Sequence, residues 1–87
     1  MSEAIRTRDH ETMRQWAQKR GGHPARVRGS GKGGILRIDF GEPEPALEKI
    51  DWEQFFADFD RNRLDFLYQD RTADGSISRF NIFVEQE

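Results

Sequence analysis

The chain has 87 residues, enough for one modest core and too few for two. Charged residues make up 34% and hydrophobic residues 34%. Seven Phe, two Trp and one Tyr nonetheless supply the large apolar groups that a disordered chain lacks. The absence of cysteine excludes a disulfide framework and a thiolate metal site, no stretch is apolar for long enough to span a bilayer, and the start lacks a signal-peptide run, so a cytoplasmic protein is expected. The net charge of −2 hides an asymmetry: residues 1–38 carry nine Lys/Arg against three Asp/Glu, and residues 39–87 carry five against thirteen.

In chain order, residues 1–6 are expected to fray, and residues 7–87 to form a single domain. Thr7 or Asp9 caps a helix running to about Arg20, where Gly21-Gly22 stops it. Its apolar stripe is Met13, Trp16 and Ala17. Residues 25–28 then alternate as a short strand. A glycine loop over residues 29–34 leads to a second strand, 35–40, with Leu36, Ile38 and Phe40 on one side. Gly41-Glu42-Pro43-Glu44-Pro45 predicts a linker without ladder pairing, because proline lacks an amide proton.

Asp51 opens a second helix as its N-cap, with Gln54 placed for a capping box, Ile50 and Phe55 for a hydrophobic staple, and Asn62 as a left-handed stop. Trp52, Phe55, Phe56 and Phe59 form its aromatic stripe. Two alternating runs, 64–71 and 78–84, flank Ala73-Asp74-Gly75, which predicts a hairpin with Thr72 opposite Ser76. Carried along the strands, that pairing sets Tyr68 opposite Phe80, Phe66 opposite Ile82 and Leu64 opposite Val84. The expected fold is α+β in the order α-β-β-α-β-β: a two-layer domain with a four-stranded antiparallel sheet of two hairpins and both helices on one face. Its core holds Val27, Leu36, Ile38, Phe40, Leu64, Phe66, Tyr68, Phe80, Ile82 and Val84, against Met13, Trp16, Trp52, Phe55, Phe56 and Phe59.

Signals for chemistry are few. Gly29-Ser30-Gly31-Lys32-Gly33-Gly34 matches a dinucleotide motif by letters, but a strand follows where a phosphate-holding helix is required. A Walker loop fails as well, with Arg26 where its first glycine belongs and Gly33 in place of Ser/Thr. His10 and His23 lie thirteen apart without carboxylates at metal-ligand spacing, and nothing sets two carboxylates in one apolar pocket. No catalytic residue, metal or cofactor is therefore expected.

The same alternation that builds the core turns Arg26, Arg28, Arg37, Arg71 and Arg79 outward on the open sheet face, with Leu67, Gln69, Asn81 and Phe83. Lys32 stands at the loop tip. Guanidinium groups suit phosphates and an aromatic ring suits base stacking, so the expectation is a non-enzymatic module binding nucleic acid or another polyanion. The alternative is a protein–protein adaptor or inhibitor using the acidic C-terminal half, with nucleic-acid mimicry as one form. Arg8-Asp9-His10-Glu11, Trp16-Ala17, Arg20-Gly21-Gly22-His23-Pro24-Ala25 and Gly34-Ile35-Leu36-Arg37-Ile38-Asp39-Phe40 occur in that order. Trp52-Glu53-Gln54-Phe55-Phe56, Leu67-Tyr68-Gln69, Thr72-Ala73-Asp74-Gly75 and Phe80-Asn81 follow. In these the chain resembles a family of short bacterial proteins often labelled 1,4-alpha-glucan branching enzyme. The resemblance implies no catalytic residue: branching enzymes resemble large barrel hydrolases, and 87 residues cannot supply that barrel.

Overall fold

A computed structural model describes residues 4–30, 35–42 and 44–86. The elements are β1 (Ile5–Thr7), α1 (His10–Lys19), β2 (His23–Val27), β3 (Leu36–Asp39), β4 (Leu47–Lys49), α2 (Trp52–Arg61), β5 (Leu64–Tyr68) and β6 (Asn81–Glu85). The class is α+β, as expected. In place of one four-stranded sheet there are two antiparallel three-stranded sheets, ordered β1-β5-β6 and β3-β2-β4.

Each expected hairpin forms, and each gains a strand the alternation did not announce. Ile5 and Arg6, read as frayed, join Thr7 in a strand that pairs with β5. Leu47–Lys49 pairs with the far side of β2, directly after the proline linker. Both additions are three residues long, too short to show a period of two against background.

The helix boundaries follow local chemistry. The Asp9 carboxylate accepts from the Thr12 amide at 2.9 Å, and the Asp51 carboxylate accepts from the Gln54 amide at 2.7 Å. The Gln54 side chain does not return to the cap; it donates to the Asp58 carboxylate at 2.9 Å, so the capping box is half made. After α1, Gly21 takes the left-handed conformation (φ +70°), and Gly22 lies so close to β3 that an added Cβ would stand 2.6 Å from Ile38 Cγ2. After α2 the left-handed residue is Arg63 (φ 52°), while Asn62 has φ −87°, one position earlier than the stop moved to.

The core joins both sheets and both helices. Met13, Trp16 and Ala17 of α1 and Phe55 and Phe59 of α2 meet Leu36, Ile38, Phe66 and Tyr68. Phe83 closes this cluster, with ring centroids 5.2 Å from Phe66, 5.7 Å from Phe55 and 6.3 Å from Phe59. Helix α2 packs on β2 and β3 of one sheet and on β5 of the other, which ties them together.

The strand parities differ from expectation in both hairpins. In β5–β6, Phe66 pairs with Phe83 and Tyr68 with Asn81, so Phe83 turns inward while Phe80 and Ile82 are 46% and 43% exposed. Near the turn the expected register holds: the Thr72 amide donates to Ser76 O at 2.8 Å, and Arg71 bridges Ile77. Between these two stretches β5 has Gln69 and Asp70, while the returning strand has Ser78, Arg79 and Phe80. The extra residue is a β-bulge, which shifts everything beyond it by one. In β2–β3, Arg26 pairs with Leu36 and Ala25 with Arg37, so it is Arg26 and not Val27 that shares the face of Leu36.

Candidate functional site

The register decides where the expected site residues go. Cross-strand partners share a sheet face. Arg26, opposite Leu36 and Glu48, therefore points to one side of its sheet, and Arg37, opposite Ala25 and Lys49, to the other. Asn81 and Phe83 share the core side with Tyr68 and Phe66. A single arginine-lined face with Phe83 as its stacking ring is thus not formed. Leu67 and Gln69 are half-buried, and Lys32 lies outside the described residues.

Most arginines are engaged within the chain. Asp58, fully buried, receives Arg26 at 3.5 Å and Arg61 at 3.7 Å, and Arg26 also meets Glu48 at 2.9 Å. Asp65, 1% exposed, is bracketed by Arg6 at 3.1 Å and by Arg8. Arg28 donates to Pro45 O at 3.1 Å, Arg37 to its neighbour Leu36 O at 2.9 Å, and Asn81 to Arg79 O at 3.0 Å. The Arg79 guanidinium lies 5.3 Å over the Phe40 ring. Of the two histidines, His10 stacks on Phe56 with centroids 4.2 Å apart and meets Asp60 at 2.9 Å. His23 begins β2.

One place gathers cations around an open space. Where α1 ends, the bulge brings the main chain of the hairpin within reach of Arg20. The Arg20 guanidinium donates to Ser78 O at 2.5 Å, Trp16 O at 3.0 Å and Asp70 O at 2.8 Å, while Trp16 Nε1 donates to Gln69 O at 3.1 Å. Ser78, itself buried, donates to Gln69 Oε1 at 2.7 Å and accepts from the Phe80 amide. The extra residue is thereby fixed. Arg20 lies 4.4 Å over the Trp16 ring, and only 6% of its side chain is exposed.

Three neutral carbonyls orient this guanidinium without cancelling its charge. Its nearest carboxylate, Asp70, is 3.8 Å away and 66% exposed. Burial lowers the Arg20 pKa, with Asp70 opposing the fall and Arg71 adding to it. Lys19, Arg20, Asp70, Arg71 and Ile77 line a cavity of about 290 Å³ here. A smaller one of about 140 Å³, with Lys19, Arg20 and Asp70 in common, adjoins Thr12, Gln15, Trp16 and Tyr68. Among the described residues neither Lys19 nor Arg71 forms an ion pair; Arg71 donates to Gly75 O at 2.8 Å across its own loop. Arg71 is the member of this cluster that the alternation singled out. Lys19 and Arg20 were missed because nothing near them in the chain marks a site; the bulge whose carbonyls fix Arg20 is a tertiary feature.

A second opening of about 400 Å³ separates β3 from β6, the outermost strands of their sheets. Leu36, Leu64 and Phe83 supply its apolar lining, with Arg37 and Glu85 among its polar groups. Among the described residues no three potential ligands group around a metal position, and no helix is long and apolar enough to cross a membrane. Comparison with protein-family models, curated proteins and solved structures finds no match. No residue role therefore comes to this chain from a relative, and the site stands on its own chemistry.

Proposed function

We propose that the protein is a non-enzymatic binding module whose partner is single-stranded nucleic acid, engaged through the cleft between the end of α1 and the C-terminal hairpin. The observation that carries this reading is the convergence of Lys19, Arg20 and Arg71 on one cleft against a single carboxylate, Asp70. Ile77 at the cleft and Phe80 on the same hairpin are 59% and 46% exposed, giving a flexible strand apolar surface on which to rest bases. Positive charge at a helix C-terminus is also favoured by the helix dipole, so Lys19 is held there at little expense.

Anisotropy of a fluorescent oligothymidylate, followed across a salt series, tests the reading. Affinity is expected to fall steeply with salt, and Lys19→Ala with Arg71→Ala together to flatten the log–log slope by roughly 0.7 for each phosphate contact removed. A wild-type protein that shows no binding at low salt ends this reading. A protein partner is the second reading, favoured by the opening between β3 and β6: two outermost strands offer main-chain groups to an added extended segment. Saturable binding of a defined partner peptide, abolished by Leu64→Asp with the fold retained, distinguishes it.

A further inference from the structure

We infer that Asp70 is the internal counter-ion of the Lys19–Arg20–Arg71 cleft, holding in the free protein the place that a ligand phosphate takes in the complex. The inference rests on the anion-binding reading and adds how that site is regulated. Arg20 is a fixed cation: carbonyls of Trp16, Asp70 and Ser78 hold it in place, and its side chain is 6% exposed. Its counter-charge is neither fixed nor close. The Asp70 carboxylate stands 3.8 Å from Nη2, beyond hydrogen-bond distance, and is two-thirds open to water.

The hydrogen bond that positions Asp70 against Arg20 comes through its main-chain oxygen, so the carboxylate is free to swing away without disturbing the bulge. Asp70, with Lys19 and Arg20, lines both cavities at the end of α1, one shared with Arg71 and the other with Trp16 and Tyr68. A phosphate oxygen entering this space finds a preorganised arrangement of donors, and among the described residues the carboxylate lining it is Asp70.

Asp70→Asn keeps the main-chain oxygen and removes the charge. Oligothymidylate is expected to bind this variant roughly fivefold more tightly, the effect of removing one unit charge about 4 Å away in water. The salt dependence is expected to steepen by roughly 0.7, since one more cation is left for phosphate to neutralise. Inorganic phosphate, as a second probe, is expected to move the Arg20 Nε–H resonance in both proteins, and further in the variant at equal concentration. Binding by the wild type with no gain, or a loss, in Asp70→Asn overturns the counter-ion role and leaves the anion-binding reading intact. Equal movement by phosphate in the two proteins overturns it as well. If neither protein binds oligonucleotide at low salt, the underlying reading falls and this inference with it. Should Asp70→Asn melt differently from the wild type, Asp70→Ser repeats the measurement with the main chain again unchanged.

Discussion

Asp58 and Asp65 are both almost fully buried and both answered by arginine, yet they sit in different physical settings. Asp58 lies on α2 in the interior, where Arg26 crosses from the neighbouring sheet with 24% of its side chain exposed, and where Gln54 completes the hydrogen bonding. Asp65 lies on the outer side of its sheet, roofed by Arg6 and Arg8, whose side chains are 46% and 60% exposed. The first pair is a constraint between elements; the second is a lid over the central strand of a sheet. Together they explain why a count of arginines overstates the cationic surface: four of them are engaged by two carboxylates.

This contrast can be broken at the interior site first. Asp58→Ala leaves Arg26 and Arg61 without their shared partner, and a loss of about 3 kcal/mol in urea unfolding is expected, the low end for breaking a buried pair because Glu48 remains to Arg26. A loss no greater than that at Asp65 would remove the distinction. For Asp65→Asn, mediated by exposed arginines, the expected destabilisation is well below that of Asp58→Ala and shrinks further as salt is raised. Loss of β1 pairing in this variant, read from faster amide exchange at Ile5–Thr7, is the accompanying signature.

A third carboxylate sharpens the comparison with the smallest effect. Asp74 is exposed and forms no ion pair among the described residues. Hydrogen bonds from the Thr72 hydroxyl and from Ser76 hold its pKa down at about 2. A folded-state pKa below the unfolded one gives stability that is fully present above about pH 4. It is lost as the pH falls through about 2. A carbon-detected titration of Asp74 should place its midpoint there, and Asp74→Asn should remove that part of the acid dependence while leaving neutral-pH binding unchanged. A midpoint near 4 would mean the loop contacts do not form in solution.

The expected nucleic-acid platform failed for a reason visible in particular residues. Period-two alternation in β6 favours Phe80, Ile82 and Val84 facing inward, but one bulge residue reversed the parity and turned Phe83 inward instead. Likewise Arg26 looks like an outward residue until Asp58 is known to lie beneath it. Only Arg71 carried over from the expected surface into the cleft, because it sits on the turn side of the bulge, where the simple register survives.

By itself the sequence determined the parts whose forces act within a few residues. These are the N-cap at Asp51, the first cap narrowed to Thr7 or Asp9, the stop at Gly21-Gly22, the aromatic face of α2, and the Ala73-Asp74-Gly75 turn. Tertiary structure decided the division into two sheets, the recruitment of β1 and β4, the parity of β2 and β6, and therefore which cations share a surface. A one-residue shift costs a strand little locally but exchanges its two faces, so the choice is made by what lies across from it: Arg20 on the bulge carbonyls, Asp58 under Arg26, and Phe83 between Phe55 and Phe66.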